Sequence, residues 1–163
     1  MNEFSTFDVV KILAIKRDRL KDWMTREHIK PSIQEAKGQG TKALFNRADL
    51  YAIQLFQHLL NRGFPRKQAA KYVNNWRTAK AIMPRLGRAA TPDFEEADHL
   101  VLTLGKNPES GKEIVIQTIQ KKKLSFKEIE EKLGSGIRPD IFIINFKRIR
   151  AFVDQRIAEK MGE

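Results

Sequence analysis

At 163 residues with 41% hydrophobic content, the chain is long enough for one or two small globular domains with real cores, and it is not a disordered polymer. Its 31 Lys and Arg outnumber 20 Asp and Glu, so a net charge of +11 and a sequence pI near 10.0 point to a polyanionic partner, either nucleic acid or an anionic membrane. No run approaches the roughly 18 apolar residues of a membrane span, no export signal is recognisable, and the absence of cysteine excludes disulfides, thiolate metal sites and a Cys nucleophile.

Ser5 with Asp8 three residues later predicts a helix start, and Phe7, Val10 and Leu13 recur at helical spacing as its apolar side. A tight turn at "AIK" follows, then a second helix over about Arg17 to Arg26 with Leu20, Trp23 and Met24 on its buried side. Two helices joined by so short a turn make a helix-turn-helix. The second helix of such a motif lays its first turns in the major groove of DNA, which suits the cations Lys16, Arg17, Arg19 and Lys21; the competing reading is a solvated charged face.

In "IQEAKGQGTKALF" the "GQG" separates two extended runs, predicting a two-stranded wing with a glycine tip. Two more helices follow: Asn46 caps the first, with Asp49 in its opening turn, while Gly63 ends it and Pro65 opens the second. The segment "PRLGRAATPD" (84–93) breaks helical periodicity and reads as a linker between a module at 1–83 and a small α+β module at 94–163. The charge divides unequally across it: residues 1–83 hold 16 basic and 7 acidic side chains, net +9, against 15 and 13, net +2, for residues 84–163.

In the second module, "DHLVLTLG" and "KEIVIQTI" predict a hairpin, with strands around 99–104 and 113–119. Ser125 with Glu128 predicts a helix through about Leu133, and "DIFII" a strand at 140–144. The chain ends in a long helix capped by Asn145, whose Phe146, Ile149, Val153 and Ile157 form one apolar stripe, facing either the neighbouring sheet or a partner helix. The imidazoles His28, His58 and His99 offer no pair at metal spacing, and Glu95, Glu96, Asp98 and His99 suit a solvated edge better than a metal site. Lys121 to Lys123 read as a solvated turn. No arrangement for catalysis emerges, and neither a metal nor another cofactor is expected.

Three segments in this order, "FDVVKILAIKRDRLKDWMTREHIKPS", "GQGTKALFNRADL" and "LLNRGFPRKQAAKYV", resemble the winged-helix DNA-binding domain of the MerR family of bacterial regulators over residues 4–73. The resemblance implies recognition-helix contacts at Lys16, Arg17, Arg19 and Lys21. Trp23 stands where the family usually has Tyr and is included in the set, although its spacing from Leu20 also suits the core. The wing adds Lys37, Gln39, Thr41 and Lys42, and the later helix ends add Arg47, Arg62, Arg66 and Lys67 as phosphate contacts. Two positions depart from the family pattern. Ala43 and Leu44 replace paired arginines before Phe45, moving that phosphate anchor to Lys42 if it is kept at all, and Glu27 stands where Gly is frequent.

The fold expected is therefore mainly α within an α+β chain: a four-helix winged helix-turn-helix with a two-stranded wing, then a small α+β module ending in a long helix. The function implied is that of a cytoplasmic, nucleoid-associated transcriptional regulator without enzymatic activity. It is expected to bind an inverted repeat in double-stranded promoter DNA as a homodimer through its C-terminal helix, with any small-molecule effector unspecified and no membrane partner. The alternative is an architectural or excisionase-like protein that bends or organises DNA with little sequence preference.

Overall fold

The computed structural model describes residues 3–38, 40–78, 93–106, 109, 113–121, 125, 127 and 140–162. Residues 84–92 of the expected linker, most of the expected helix leading to Leu133, Lys122, Lys123 and the wing residue Gln39 lie outside the described residues. The fold is mainly helical. Its residues form two compact units, one of Met1–Val73 with Ile149–Glu163 and the other of Asn74–Arg148. The chain thus does not divide at a single point: its last helix returns to the first unit, which a division at 84–93 did not anticipate.

In the first unit, β1 (Phe4–Ser5) leads into α1 (Thr6–Leu13). The predicted start is present as a reciprocal capping box: the Asp8 N–H donates to Ser5 Oγ at 3.3 Å, and the Ser5 N–H donates to Asp8 Oδ2 at 2.8 Å. The buried side of α1 is Val9, Ile12 and Leu13, while Phe7 is 73% exposed. The expected stripe through Phe7 and Val10 is corrected accordingly. With five of its eight residues apolar, α1 offers more than one stripe at helical spacing, and contact with α2 and α3 selects among them.

Ala14 ends α1 in the left-handed region at φ 52°, which brings Ile15 N–H within 3.3 Å of Val10 O. Helix α2 (Arg17–Thr25) follows, with Leu20 and Trp23 buried. It ends in the same way, with Glu27 at φ 57°, Glu27 N–H donating to Met24 O at 3.0 Å and His28 N–H to Trp23 O at 2.9 Å. Those two bonds satisfy carbonyls that a helix end leaves open.

The wing is less regular than two strands. One antiparallel bridge, Gln34 with Leu44, closes its base, and β2 (Leu44–Phe45) turns its other edge to β1 in the register Phe4 to Phe45. Helix α3 (Arg47–Asn61) starts from the second predicted box, in which the Asp49 N–H donates to Asn46 Oδ1 and the Asn46 N–H to Asp49 Oδ2, both at 2.9 Å. Asp49 is buried and also takes the Ser32 N–H at 2.9 Å and the Ser32 hydroxyl at 2.6 Å, tying the chain entering the wing to α3. At its far end Gly63, at φ 89°, lets Phe64 N–H reach Leu59 O at 3.2 Å. Pro65 provides the first accepting carbonyl of α4 (Arg66–Thr78), bonded by Ala69 N–H at 2.9 Å.

The second unit contains the three predicted strands as β3 (His99–Lys106), β4 (Glu113–Lys121) and β5 (Asp140–Asn145). Strand β3 is central and antiparallel to both neighbours, in the order β4-β3-β5. Its register with β4 shifts between Thr103 and Leu104. Phe94 packs on Phe146 with ring centroids 4.7 Å apart.

Helix α5 (Phe146–Met161) starts at Asn145, whose Oδ1 accepts from Arg148 N–H at 3.2 Å. From Ile149 onward it belongs to the first unit. Arg156 Nε donates to Ile12 O at 3.0 Å and Lys11 Nζ to Lys160 O at 3.0 Å, so each of α1 and α5 receives a basic side chain at its C-terminal carbonyls, where the helix dipole favours a cation. Tyr51 donates to Asp154 Oδ1 at 2.7 Å. Phe146, Val153 and Ile157 are buried within the single chain and Ile149 is partly buried, so the stripe expected to meet a partner helix is largely used internally. Phe152 is the large apolar residue of α5 that stays exposed, at 45%.

Candidate nucleic-acid interface

Helix α2 presents two different faces. Leu20 and Trp23 point inward, with the Trp23 ring set edge-on to Phe56 at 5.0 Å and 88°, an arrangement that adds about 0.5–1.5 kcal/mol to area burial. Trp23 is 1% exposed and is core, which corrects its inclusion among the DNA contacts. Lys16, Arg17, Arg19 and Lys21 are all exposed on the remaining surface. Among the described residues, none of these four pairs with a carboxylate, so their charge is available to an outside anion.

The start of α2 differs from those of α1 and α3. Ser5 and Asn46 cap those helices with side-chain oxygens, whereas Lys16 at the start of α2 makes no side-chain cap bond. The Arg19 N–H turns back to Lys16 O at 3.0 Å, so the N–H groups of Arg17 and Asp18 are the ones left without a partner among the described residues, and Lys16 and Arg17 outweigh the Asp18 carboxylate beside them at this helix end, which suits a phosphate oxygen.

The remaining expected contacts are placed unequally. Lys37 and Lys42 are exposed on the wing, as are Arg62 at the end of α3 and Lys67 in the first turn of α4. Thr41 is exposed too, but its hydroxyl accepts from Lys37 N–H at 2.7 Å and donates to Gly38 O at 2.9 Å, so its visible role is to brace the wing tip. Arg47 lies 3.6 Å from Asp154. Arg66 lies 3.4 Å from Asp22 Oδ2, and Asp22 Oδ1 takes Arg26 Nε at 2.7 Å. The Arg26 hydrogen bond, with the nearby charges of Arg26, Arg66 and His28, holds the Asp22 carboxyl below its usual range against a smaller opposing effect of desolvation.

Arg19 and Arg66 line one open depression of about 360 Å³ between α2 and the α3–α4 turn, with Gln57 and Asn61 on its wall and Trp23 and Phe64 at its apolar side. The partners Asp22 and Asp154 were not foreseen as part of this surface. The spacing of Asp22 from Arg26 is legible as an i, i+4 helix pair, but nothing local links Asp22 to Arg66 or Asp154 to Arg47. Among the described residues, no group of three or more His, Asp or Glu side chains is placed to hold a metal ion, and no helix is long and apolar enough to cross a membrane.

Two short helices joined by a tight turn, an exposed cationic face on the second, and a wing returning to the first strand define a helix-turn-helix unit of the DNA-binding class. Residues 4–76 match the family model described as MerR HTH family regulatory protein, so this segment of the chain is similar to the helix-turn-helix domain of that family. No curated protein matches the chain.

Proposed function

We propose that the protein is a sequence-specific transcriptional regulator that binds an inverted repeat in duplex promoter DNA as a homodimer. The observation that carries this reading is the set of unpaired cations Lys16, Arg17, Arg19 and Lys21 around the uncapped start of α2, held on a rigid helix by Leu20 and Trp23. Arg19 reads base edges, while Lys16 and the wing residues Lys37 and Lys42 neutralise phosphates. One such small domain contacts few base pairs, and a two-fold dimer doubles the site and raises affinity through linkage. The dimer surface lies away from Val153 and Ile157, which are buried in the chain itself.

Titration of duplex DNA at several salt concentrations tests the reading. The slope of log affinity against log salt is expected on the order of −4 or steeper per dimer. Arg19→Ala costs about 1–3 kcal/mol on the best site and flattens discrimination between sites, whereas Lys42→Ala weakens all sequences alike. Sedimentation of the same complexes is expected to give two chains per duplex. A flat salt response refutes DNA binding, and equal affinity for all duplexes refutes sequence-specific regulation in favour of an architectural role.

A further inference from the structure

We infer that the depression between α2 and the α3–α4 turn receives one phosphate group of the DNA backbone on Arg66, beside the base-reading Arg19, and that Asp22 is the positioning residue that presents Arg66 to it. The inference rests on the DNA-binding reading above and adds a residue of opposite charge to it. Arg19 and Arg66 line the same depression, with the side-chain amides of Gln57 and Asn61 beside them. Asp22 divides its oxygens, giving Oδ1 to Arg26 and Oδ2 to Arg66 NH1.

A guanidinium has five donors in a planar fork, so with NH1 of Arg66 drawn to Asp22 Oδ2 at 3.4 Å the donors of its other nitrogens are left for phosphate. Without Asp22, the exposed Arg66 side chain has many rotamers to lose on binding, and fixing it in advance lowers that cost. Asp22 does not turn the site negative: with Arg19, Arg26 and Arg66 around it the local sum is three positive charges less one, +2.

This arrangement makes a prediction whose sign is opposite to that of net charge. Deleting an acid from a DNA-facing surface ordinarily strengthens binding to a polyanion. Here Asp22→Asn is expected to weaken it and to reduce the magnitude of the salt slope by about 1, as Arg66→Ala does, because one phosphate contact is lost in each case. In the Arg66→Ala background, Asp22→Asn is expected to weaken binding no further, and Asp22→Glu restores part of the loss in the otherwise unchanged chain. The measurement uses the full chain and a duplex carrying its best site, with thermal melts of each variant establishing that the fold is intact.

The same variants titrated with inorganic phosphate at fixed ionic strength separate the two sources of the group. Duplex binding that depends on Asp22 and Arg66 supports the inference, and a site that responds to free phosphate while duplex binding ignores both residues overturns it. Tighter duplex binding by Asp22→Asn, or an unchanged slope, also overturns it, while wild-type DNA binding stands. A wild-type chain with no salt-dependent duplex binding overturns both readings together.

Discussion

Replacing Asp49 by Ala is the substitution with the largest expected effect on the DNA-binding unit outside its apolar core. The buried carboxylate accepts three hydrogen bonds, from the N–H groups of Asn46 and Ser32 at 2.9 Å and from the Ser32 hydroxyl at 2.6 Å. Alanine leaves those donors without the carboxylate in a place where water enters poorly, and a hydrogen bond to a charged group contributes roughly 1.5–3 kcal/mol. Removing the charge also relieves some desolvation cost, so the net loss is well below three times that figure, at about 2–4 kcal/mol. The helix itself keeps the bond from Asp49 N–H to Asn46 Oδ1, because that donor is backbone. The damage therefore falls on the junction between the end of the α2 turn and α3, from which the wing springs. Urea denaturation followed by tryptophan fluorescence reads the stability loss, and amide exchange at Ser32 and Asn46 reads its location. A loss below about 1 kcal/mol, within the range of an ordinary cap substitution, refutes the junction role assigned to Asp49.

Glu27→Gly is expected to stabilise the first unit by about 0.5–1 kcal/mol, because Glu27 occupies φ 57° at the end of α2 while its pair with Lys30 at 3.4 Å is exposed and contributes little; a lower melting temperature for the variant contradicts this. His58 lies in the last turn of α3, where the dipole favours a cation, yet burial first and the charge of Arg62 second lower its pKa below the ordinary 6.5. A folded pKa below the unfolded one gives stability that is present above about 6.5 and lost as pH falls through the folded value, so melting temperature drops from pH 7 to pH 5. His58→Gln flattens that part of the profile, and an identical acid dependence in the variant refutes the assignment.

Local chemistry in the sequence was sufficient for the helix starts at Ser5, Asn46 and Asn145, since a side-chain oxygen reaching an N–H two or three residues on depends on no distant part of the chain. Alternating aliphatic runs likewise placed β3, β4 and β5, and the order of turn, wing and glycine-ended helix carried the resemblance to the MerR domain. The same local reasoning located the exposed cations of α2, because a charge run beside Leu20 and Trp23 has one solvated side. Only the tertiary structure decided which of several apolar stripes on α1 turns inward, leaving Phe7 exposed, and that Phe56 is the ring against which the buried Trp23 packs. It also decided that Ala14 and Glu27 take the left-handed conformation, as glycine does at Gly63, and that Arg47 and Arg66 meet Asp154 and Asp22. Each of these depends on groups distant in sequence: helical spacing fixes which residues share a face, but the neighbour that covers that face is set by where the remaining elements pack.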